Sequence, residues 1–186
     1  MGKSSSIVYS SVKEIMTKIY TSSHRQLNDN EVSVTELTTC LRKSYLDRVV
    51  KLTPPVDILQ RIIFGTGLHL AFKTVMPEAE REYRKKIGDA ELVGVPDCVM
   101  NDTIYEWKTS LTIPPAPSMH HLAQVSGYMY LTDLSKAVIF YLTPKGRQQA
   151  FIVQRSQLTD KLTEKLLSRM TMYLKHVRGG GMPEPE

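Results

Sequence analysis

The sequence predicts an α/β (α+β) protein in which a mixed β-sheet is flanked by helices. Three observations support this prediction. Helical periodicity fills the first part of the chain, an Asn101-Asp102 pair marks a tight hairpin near the middle, and the continuous apolar run 137–142 suits a buried strand. A chain of 186 residues suits one domain. We expect that domain to span residues 1–178, with a flexible tail at 179–186.

Three helices are predicted before the first strand. Apolar residues recur at helical spacing within 7–28, and that helix should end near its Ser-Ser-His-Arg stretch. Ser33 followed three residues later by Glu36 forms a capping box, which predicts a second helix running through Leu46. After a proline pair, an apolar stripe predicts a third helix over 56–75.

Strands dominate the second half of the chain, because its apolar runs are short and separated by turn residues. The predicted elements are a strand within 78–87, hairpin strands 92–100 and 103–110, a stiff proline-rich loop 112–118, a helix 118–131, strands 137–142 and 149–154, and a last helix 159–177. This order favours a mixed sheet of restriction-endonuclease type.

Charge and cysteine content indicate the kind of partner and the cellular compartment to expect. The net charge of +5 suits a polyanionic partner, although a plain basic soluble protein has the same charge. Two cysteines, Cys40 and Cys98, fit a reducing compartment. Since the sequence shows neither a long apolar span nor a secretory signal, we expect a cytoplasmic protein.

The predicted hairpin carries two carboxylates and a lysine. Counting outward from its turn places Asp97 directly across from Glu106, and Lys108 on the same face as Glu106. Facing carboxylates repel each other unless a cation lies between them, and oxygen ligands suit a divalent metal. Surface charges that merely face each other are the plain alternative.

Metal-ion catalysis explains these residue types. Carboxylates hold Mg²⁺ or Mn²⁺, which polarises a phosphodiester and activates water, and Lys108 would orient that water or stabilise the developing charge. Pro96-Asp97 and Glu106-Trp107-Lys108 together match the PD-(D/E)XK nuclease signature. The pattern therefore predicts a metal-dependent nuclease.

Three further residues could join this site. His69 is either a packed helix histidine or a metal ligand, and its position upstream of the hairpin favours a ligand that suits Mn²⁺. Gln124 and Tyr128 are four residues apart on a predicted helix and share a face, as core residues or as site residues.

Basic and aromatic residues in the second predicted helix are candidates for DNA contact. Arg42 and Lys43 could bind phosphate, and Tyr45 could stack on a base. A solvated basic face fits the same residues equally well.

Five motifs follow one another along roughly residues 30–142. They are Ser33 to Leu46, Gly65-Thr-Gly-Leu-His69, Gly94-Val-Pro-Asp97, Glu106-Trp-Lys108 and Gln124-x-x-x-Tyr128. This order resembles RecB-like nucleases, and most closely the CRISPR-associated exonuclease family four.

The resemblance implies a single-strand DNA exonuclease that acts in CRISPR spacer acquisition, with DNA and integrase subunits as partners. It also implies that His69, Asp97 and Glu106 bind the metal beside Lys108, and that Gln124 and Tyr128 assist the site.

The same resemblance implies an iron–sulfur cluster, in which a cysteine at the position of Cys40 joins three cysteines near the C-terminus. Here only Cys98 accompanies Cys40, and four thiolates cannot come from two. Two explanations fit the missing cysteines: the chain is truncated, or it is a relative that has no cluster.

Two alternative functions fit the same residues. One is a nuclease of viral or mobile-element recombination or repair. The other is a catalytically weak DNA-binding subunit of an adaptation complex, against which the intact Asp97, Glu106 and Lys108 argue.

Overall fold

Two mixed β-sheets lie at the centre of the fold in the part of the chain that the structure describes. The computed structural model describes residues 3–23, 26–76 and 81–186, with side chains from residue 12 onward except that of Ser23. The strands are β1 Glu31–Ser33, β2 Tyr83–Ile87, β3 Ala90–Gly94, β4 Cys98–Met100, β5 Thr103–Thr109, β6 Lys136–Leu142 and β7 Gln148–Gln154. The helices are α1 Lys3–Ser23, α2 Val34–Thr38, α3 Leu41–Tyr45, α4 Val56–Val75, α5 Met119–Thr132 and α6 Gln157–Lys175, with π-helical turns at Leu46–Val50 and His176–Gly180.

The two sheets differ in size but both are mixed. The smaller sheet has the order β1-β3-β2, in which β3 runs parallel to β1 and antiparallel to β2. The larger sheet has the order β4-β5-β6-β7, in which only β5 and β6 are parallel. Parallel neighbours need a long crossover, and α5 supplies it. The predicted mixed α/β architecture with flanking helices is confirmed, as two sheets rather than one.

Helix α5 joins the sheets, because it contacts strands of both as well as α2 and α6. Fully buried side chains from these elements form one core, represented by Leu92, Ile104, Val125, Ile139 and Tyr173. Burial of each such side chain contributes roughly 1.5–3 kcal/mol.

A second, smaller apolar cluster joins α1 to α4. It contains Met16, Tyr20 and Leu59, and Ile62 and Ile63 pack against it. None of the described helices is both long enough and apolar enough to cross a membrane.

The second predicted helix is wrong in length. Its capping box is present, since Ser33 Oγ accepts from the Glu36 amide and Glu36 Oε2 accepts from the Ser33 amide. However, α2 ends at Thr38 and α3 begins separately at Leu41. Side chains bind the carbonyls at this break: Ser44 binds that of Glu36, Arg169 those of Leu37 and Thr39, and His120 that of Thr38. Distant residues thus satisfy carbonyls that a longer helix would have used.

The prediction of one strand over 92–100 is also wrong, because this range is divided between two strands. β3 ends at Gly94 in the small sheet, and β4 begins at Cys98 in the large one. Pro96 lies between them and has no N–H to donate to a ladder. The chain therefore passes from one sheet to the other just before Asp97.

The remaining predicted elements lie close to their observed positions. The first helix ends at Ser23; His24, Arg25 and residues 77–80, which belong to the predicted helix end and strand, lie outside the described residues. Strand β1 was not predicted. In the tail, predicted to be flexible, the Glu186 carboxylate accepts from Arg169 at 2.6 and 3.0 Å and from the Leu41 amide at 3.4 Å.

Candidate active site

The hairpin turn sets the register of β4 and β5. Asn101 and Asp102 have φ values of 49° and 54°, as a type I′ turn requires. Met100 pairs with Thr103, and the ladder continues to Cys98 opposite Tyr105. The predicted register is confirmed over these pairs. The predicted pairing of Asp97 with Glu106 is not observed, because the ladder ends one residue short of Asp97.

The Asp97 carboxylate instead contacts the backbone of β5 and the imidazole of His69. Its Oδ2 accepts from the Trp107 amide at 2.7 Å, and its Oδ1 lies 2.7 Å from His69 Nδ1. The residue is only 8% exposed. The hydrogen bond to Asp97 raises the pKa of His69, and burial opposes this effect.

Glu106 and Lys108 project from β5 beside Asp97. Lys108 Nζ donates to Glu106 Oε1 and to Gln124 Oε1, each at 2.7 Å. Gln124 Nε2 in turn donates to the Tyr128 hydroxyl at 2.9 Å. Gln124 and Tyr128 are both buried on α5. The four side chains form one continuous hydrogen-bonded chain from sheet to helix.

One oxygen of Glu106 remains without a partner. Glu106 is 2% exposed, and its Oε2 is the single buried side-chain oxygen or nitrogen without a hydrogen bond among the residues that the structure describes. Burial raises the pKa of this carboxyl, and the nearby Asp97 raises it further against the opposing effect of Lys108. Because an unsatisfied buried carboxylate oxygen is costly, this arrangement is typical of a ligand-binding site.

Two contacts hold the site residues in place. The Phe72 ring on α4 stacks on Trp107 with centroids 4.8 Å apart, which fixes His69 one turn earlier on that helix. At Gly94, a Cβ atom would lie 2.4 Å from Leu131 Cδ1 and 3.0 Å from Tyr128 Cδ1. The end of β3 therefore packs directly on the part of α5 that carries Tyr128.

The structure brings together six of the residues singled out in the sequence. They are His69, Asp97, Glu106, Lys108, Gln124 and Tyr128. Among the described residues, no group of three or more His, Cys, Asp or Glu side chains is already arranged as a metal site. Two buried carboxylates, an imidazole and the unpartnered Oε2 nevertheless supply the donor types that a divalent cation takes.

The DNA-binding candidates lie on α3, outside the hydrogen-bonded cluster. Lys43 lines a cavity of about 760 Å³ that also reaches Gly94 and Tyr128, and it pairs with Asp47 at 2.5 Å. Tyr45 is partly buried and packs against the main core. Arg42 lies on α3 and is half-buried.

The two cysteines do not form a disulfide bond. Cys40 precedes α3, and hydrogen bonds from backbone amides, that of Lys43 first, lower the pKa of its thiol. Cys98 is buried in β4. Neither position supplies the further thiolates that an iron–sulfur cluster would need.

Sequence reasoning missed a second histidine at this site. His121 lies in the first turn of α5, and its Nδ1 is 2.6 Å from the Tyr141 hydroxyl. The available signal was its spacing of three residues from Gln124, which places both on one helix face.

Comparison with known proteins identifies the fold. No protein-family model matches the chain, and no curated protein matches it. Among solved structures, SSO0001 has a TM-score of 0.68 at 21% identity, with 89% of this chain and 86% of that chain covered. A phage-related exonuclease from Haemophilus somnus has a TM-score of 0.52 at 13% identity, with 81% of this chain and 96% of that chain covered.

A third similar structure is LHK-Exo, an alkaline exonuclease from Laribacter hongkongensis, in complex with dAMP. It has a TM-score of 0.51 at 9% identity, with 81% of this chain and 89% of that chain covered. At these identities the likenesses show the fold alone. The chain has a fold shared with exonucleases, and its CRISPR-associated resemblance rests on the sequence motifs.

Proposed function

We propose that this protein is a metal-dependent deoxyribonuclease of the PD-(D/E)XK type, acting as an exonuclease on single-stranded DNA. The observation that carries the proposal is the buried pair of carboxylates, Asp97 and Glu106. Lys108 donates to Oε1 of Glu106, whereas Oε2 of Glu106 has no partner. A buried carboxylate oxygen without a partner raises the free energy of the folded state, and such an atom is typical of a position that a ligand completes. The exonuclease fold of the neighbours supports the same class of activity.

In this proposal Asp97 and Glu106 hold Mg²⁺ or Mn²⁺, with His69 as a further ligand. The bound cation supplies Lewis-acid activation of the phosphodiester and of the attacking water. The Asp97 carboxylate is already held by the Trp107 amide, which fixes its orientation before any ligand arrives. Its Oδ1, which lies 2.7 Å from His69 Nδ1, would exchange that contact for the cation.

Lys108 provides the positive charge beside the carboxylates. Gln124 holds its ammonium group at 2.7 Å, and Tyr128 holds the Gln124 amide. Lys108 therefore stays in one position, where it stabilises charge that develops on the phosphodiester. Gln124 and Tyr128 act as positioning residues through this chain of hydrogen bonds.

The cavity beside the site supports a single strand as substrate. Its volume of about 760 Å³ is in the range of pockets that bind small molecules, and its lining includes Tyr128, the basic residues Lys43, Arg48 and Lys51, and the acidic residues Glu36 and Asp47. A strand with exposed bases and phosphates fits such a space better than a paired duplex does. Lys51 in its lining suits the phosphate backbone, whereas Lys43 and Arg48 already pair with Asp47 and Glu36.

Two biological settings suit such a nuclease. Spacer acquisition with integrase subunits rests on the order of the five sequence motifs. The likeness in fold to a phage-related exonuclease favours a second candidate, a nuclease of viral recombination or repair. Genome neighbourhood separates these two settings.

The test is digestion of end-labelled single- and double-stranded DNA with Mn²⁺, Mg²⁺ or a chelator. We expect the unmodified protein to degrade single strands with metal and not with chelator. Asp97→Ala and Glu106→Ala should each reduce the rate by at least about 10²–10³-fold. The labelled end gives the polarity of digestion.

Glu91→Ala is the matched control for these variants, because Glu91 lies on β3 and pairs with Arg84 outside the site. This variant should retain the full rate. Failure of the folded, DNA-binding protein to cleave with either metal would refute the nuclease and leave a DNA-binding subunit.

A further inference from the structure

His121 is held in the first turn of α5, close to the proposed site. Ser118 caps this helix, and its Oγ accepts from the His121 amide at 3.2 Å. Gln124, which binds Lys108, lies three residues further along the same helix face. The backbone position of His121 is therefore fixed relative to the site.

Its partner Tyr141 lies next to Lys108 in the large sheet. The parallel register of β5 and β6 pairs Lys108 with Tyr141 and Glu106 with Ile139. Directly paired residues project from the same face of a sheet. Tyr141 is 2% exposed, and its ring packs edge-to-face on Phe151 at 5.7 Å. The phenol is thus a rigid support for the imidazole.

His121 and Tyr141 share a hydrogen bond whose direction sets the tautomer of the imidazole ring. The Ser118 amide, which can only donate, lies 3.4 Å from the Tyr141 oxygen. His121 Nδ1 lies 2.6 Å from the same oxygen, and it accepts the hydroxyl hydrogen in one of the two neutral tautomers of the ring. In that tautomer the ring proton resides on Nε2.

The Nε2 atom is available to a ligand. No residue within the described ranges hydrogen-bonds to it, and it is not among the buried unpartnered atoms, so solvent reaches it. Burial, with Lys108 and His120 nearby, lowers the pKa of His121 to about 3. In the tautomer with the proton on Nε2, the neutral ring offers an N–H donor to a ligand.

We propose that His121 is a substrate-binding residue, whose Nε2–H donates a hydrogen bond to a non-bridging oxygen of the phosphodiester beside Lys108. This inference rests on the proposed nuclease function. Lys108 already shares its ammonium group between Glu106 and Gln124. A second donor on the same side of the site binds a phosphate oxygen that Lys108 does not reach.

Two amide substitutions separate this role from a structural one. In His121→Gln the side-chain amide nitrogen reaches the position of Nε2, whereas in His121→Asn it reaches only that of Nδ1. We expect His121→Asn to lower kcat/KM on single-stranded DNA by about 10- to 100-fold, chiefly through KM. His121→Gln should stay within about threefold of the unmodified protein.

His120→Asn is the matched control. His120 Nδ1 donates to the Thr38 carbonyl at 2.7 Å, and an Asn amide can replace that bond. We expect unchanged kcat/KM in this variant. Unchanged kcat/KM in His121→Asn, or larger losses in His121→Gln than in His121→Asn, would overturn the proposal, since a merely structural role needs only the Tyr141 contact.

A measurement without metal distinguishes failure of this inference from failure of the nuclease function. Imidazole ¹⁵N NMR in chelator should show His121 protonated on Nε2, and this signal should shift when a thymidine trinucleotide is added. A shift in a protein that never cleaves DNA would refute the nuclease and support His121 as a nucleotide contact. Cleavage by the protein with no shift at His121 would refute the contact alone.

Discussion

The two sheets differ in how the carboxylates of their charged side chains are paired. In the small sheet, Arg84 on β2 binds Glu31 at 2.6 Å, Glu91 at 2.7 Å and Glu82 as well. One cation there binds three carboxylates, although Glu31 itself is only 8% exposed. In the large sheet, Glu106 is buried with Lys108 and keeps an oxygen without any partner.

The pKa directions reflect this difference. Hydrogen bonds from the Asn28 amide and then from Arg84 lower the pKa of Glu31. Burial raises the pKa of Glu106. A satisfied carboxylate stabilises the fold, whereas an unsatisfied buried one lowers stability and is retained where a ligand completes it.

The largest expected effect concerns divalent metal. If the unpartnered Glu106 oxygen binds Mn²⁺, the ion should raise the free energy of unfolding by about 2.7 kcal/mol at one hundred times its dissociation constant. The Glu106→Gln variant should show no such rise, because it loses a negatively charged ligand. Urea unfolding with Mn²⁺ and with chelator measures both.

Glu31→Gln is the control, because it makes the same Glu-to-Gln change at a carboxylate of the small sheet. Mn²⁺ should stabilise it as it stabilises the unmodified protein. Equal stabilisation of Glu106→Gln would show that the ion binds elsewhere.

A medium effect is expected where the small sheet packs on the site helix. Gly94→Ala would place Cβ 2.4 Å from Leu131 Cδ1, so it should lower the free energy of unfolding by about 1–3 kcal/mol. Gly67→Ala in α4 meets no atom within 4 Å and should raise stability by about 0.5–1 kcal/mol. Thermal unfolding compares the two variants; similar changes in both would contradict the close contact at Gly94.

The smallest effect concerns acid stability of the small sheet. Because the pKa of Glu31 is lowered in the folded state, its contribution is present above its unfolded pKa of about 4.5 and is lost as pH falls through the folded pKa. Glu31→Gln should therefore lower unfolding free energy by about 1 kcal/mol at pH 7 and flatten the loss between pH 5 and 3. An unchanged acid slope, measured by urea unfolding across this range, would contradict the assignment.

Local chemistry made much of the fold predictable. The capping box at Ser33 and the helix 56–75 were predicted correctly, because caps and apolar periodicity act within a few residues. The Asn101-Asp102 turn gave the correct register of β4 and β5 for the same reason.

Predictions failed where distant residues compete with local pattern. The second helix stops at Thr38 because Arg169 and His120, far along the chain, bind its last carbonyls. Strand β1, three residues long, depends on pairing with β3 and carries too short a pattern to identify. These contacts have no signature in the neighbouring sequence.

The sequence by itself determined which side chains could form a site, since the order of His69, Asp97, Glu106, Lys108 and Gln124 with its helix partner Tyr128 is readable without coordinates. Tertiary structure alone decided how they meet. Asp97 left the ladder to bind the Trp107 amide, and packing of α5 on β5 and β6 brought Gln124 to Lys108 and His121 to Tyr141. Burial then left one Glu106 oxygen without a partner, because only the packed fold removes water from it.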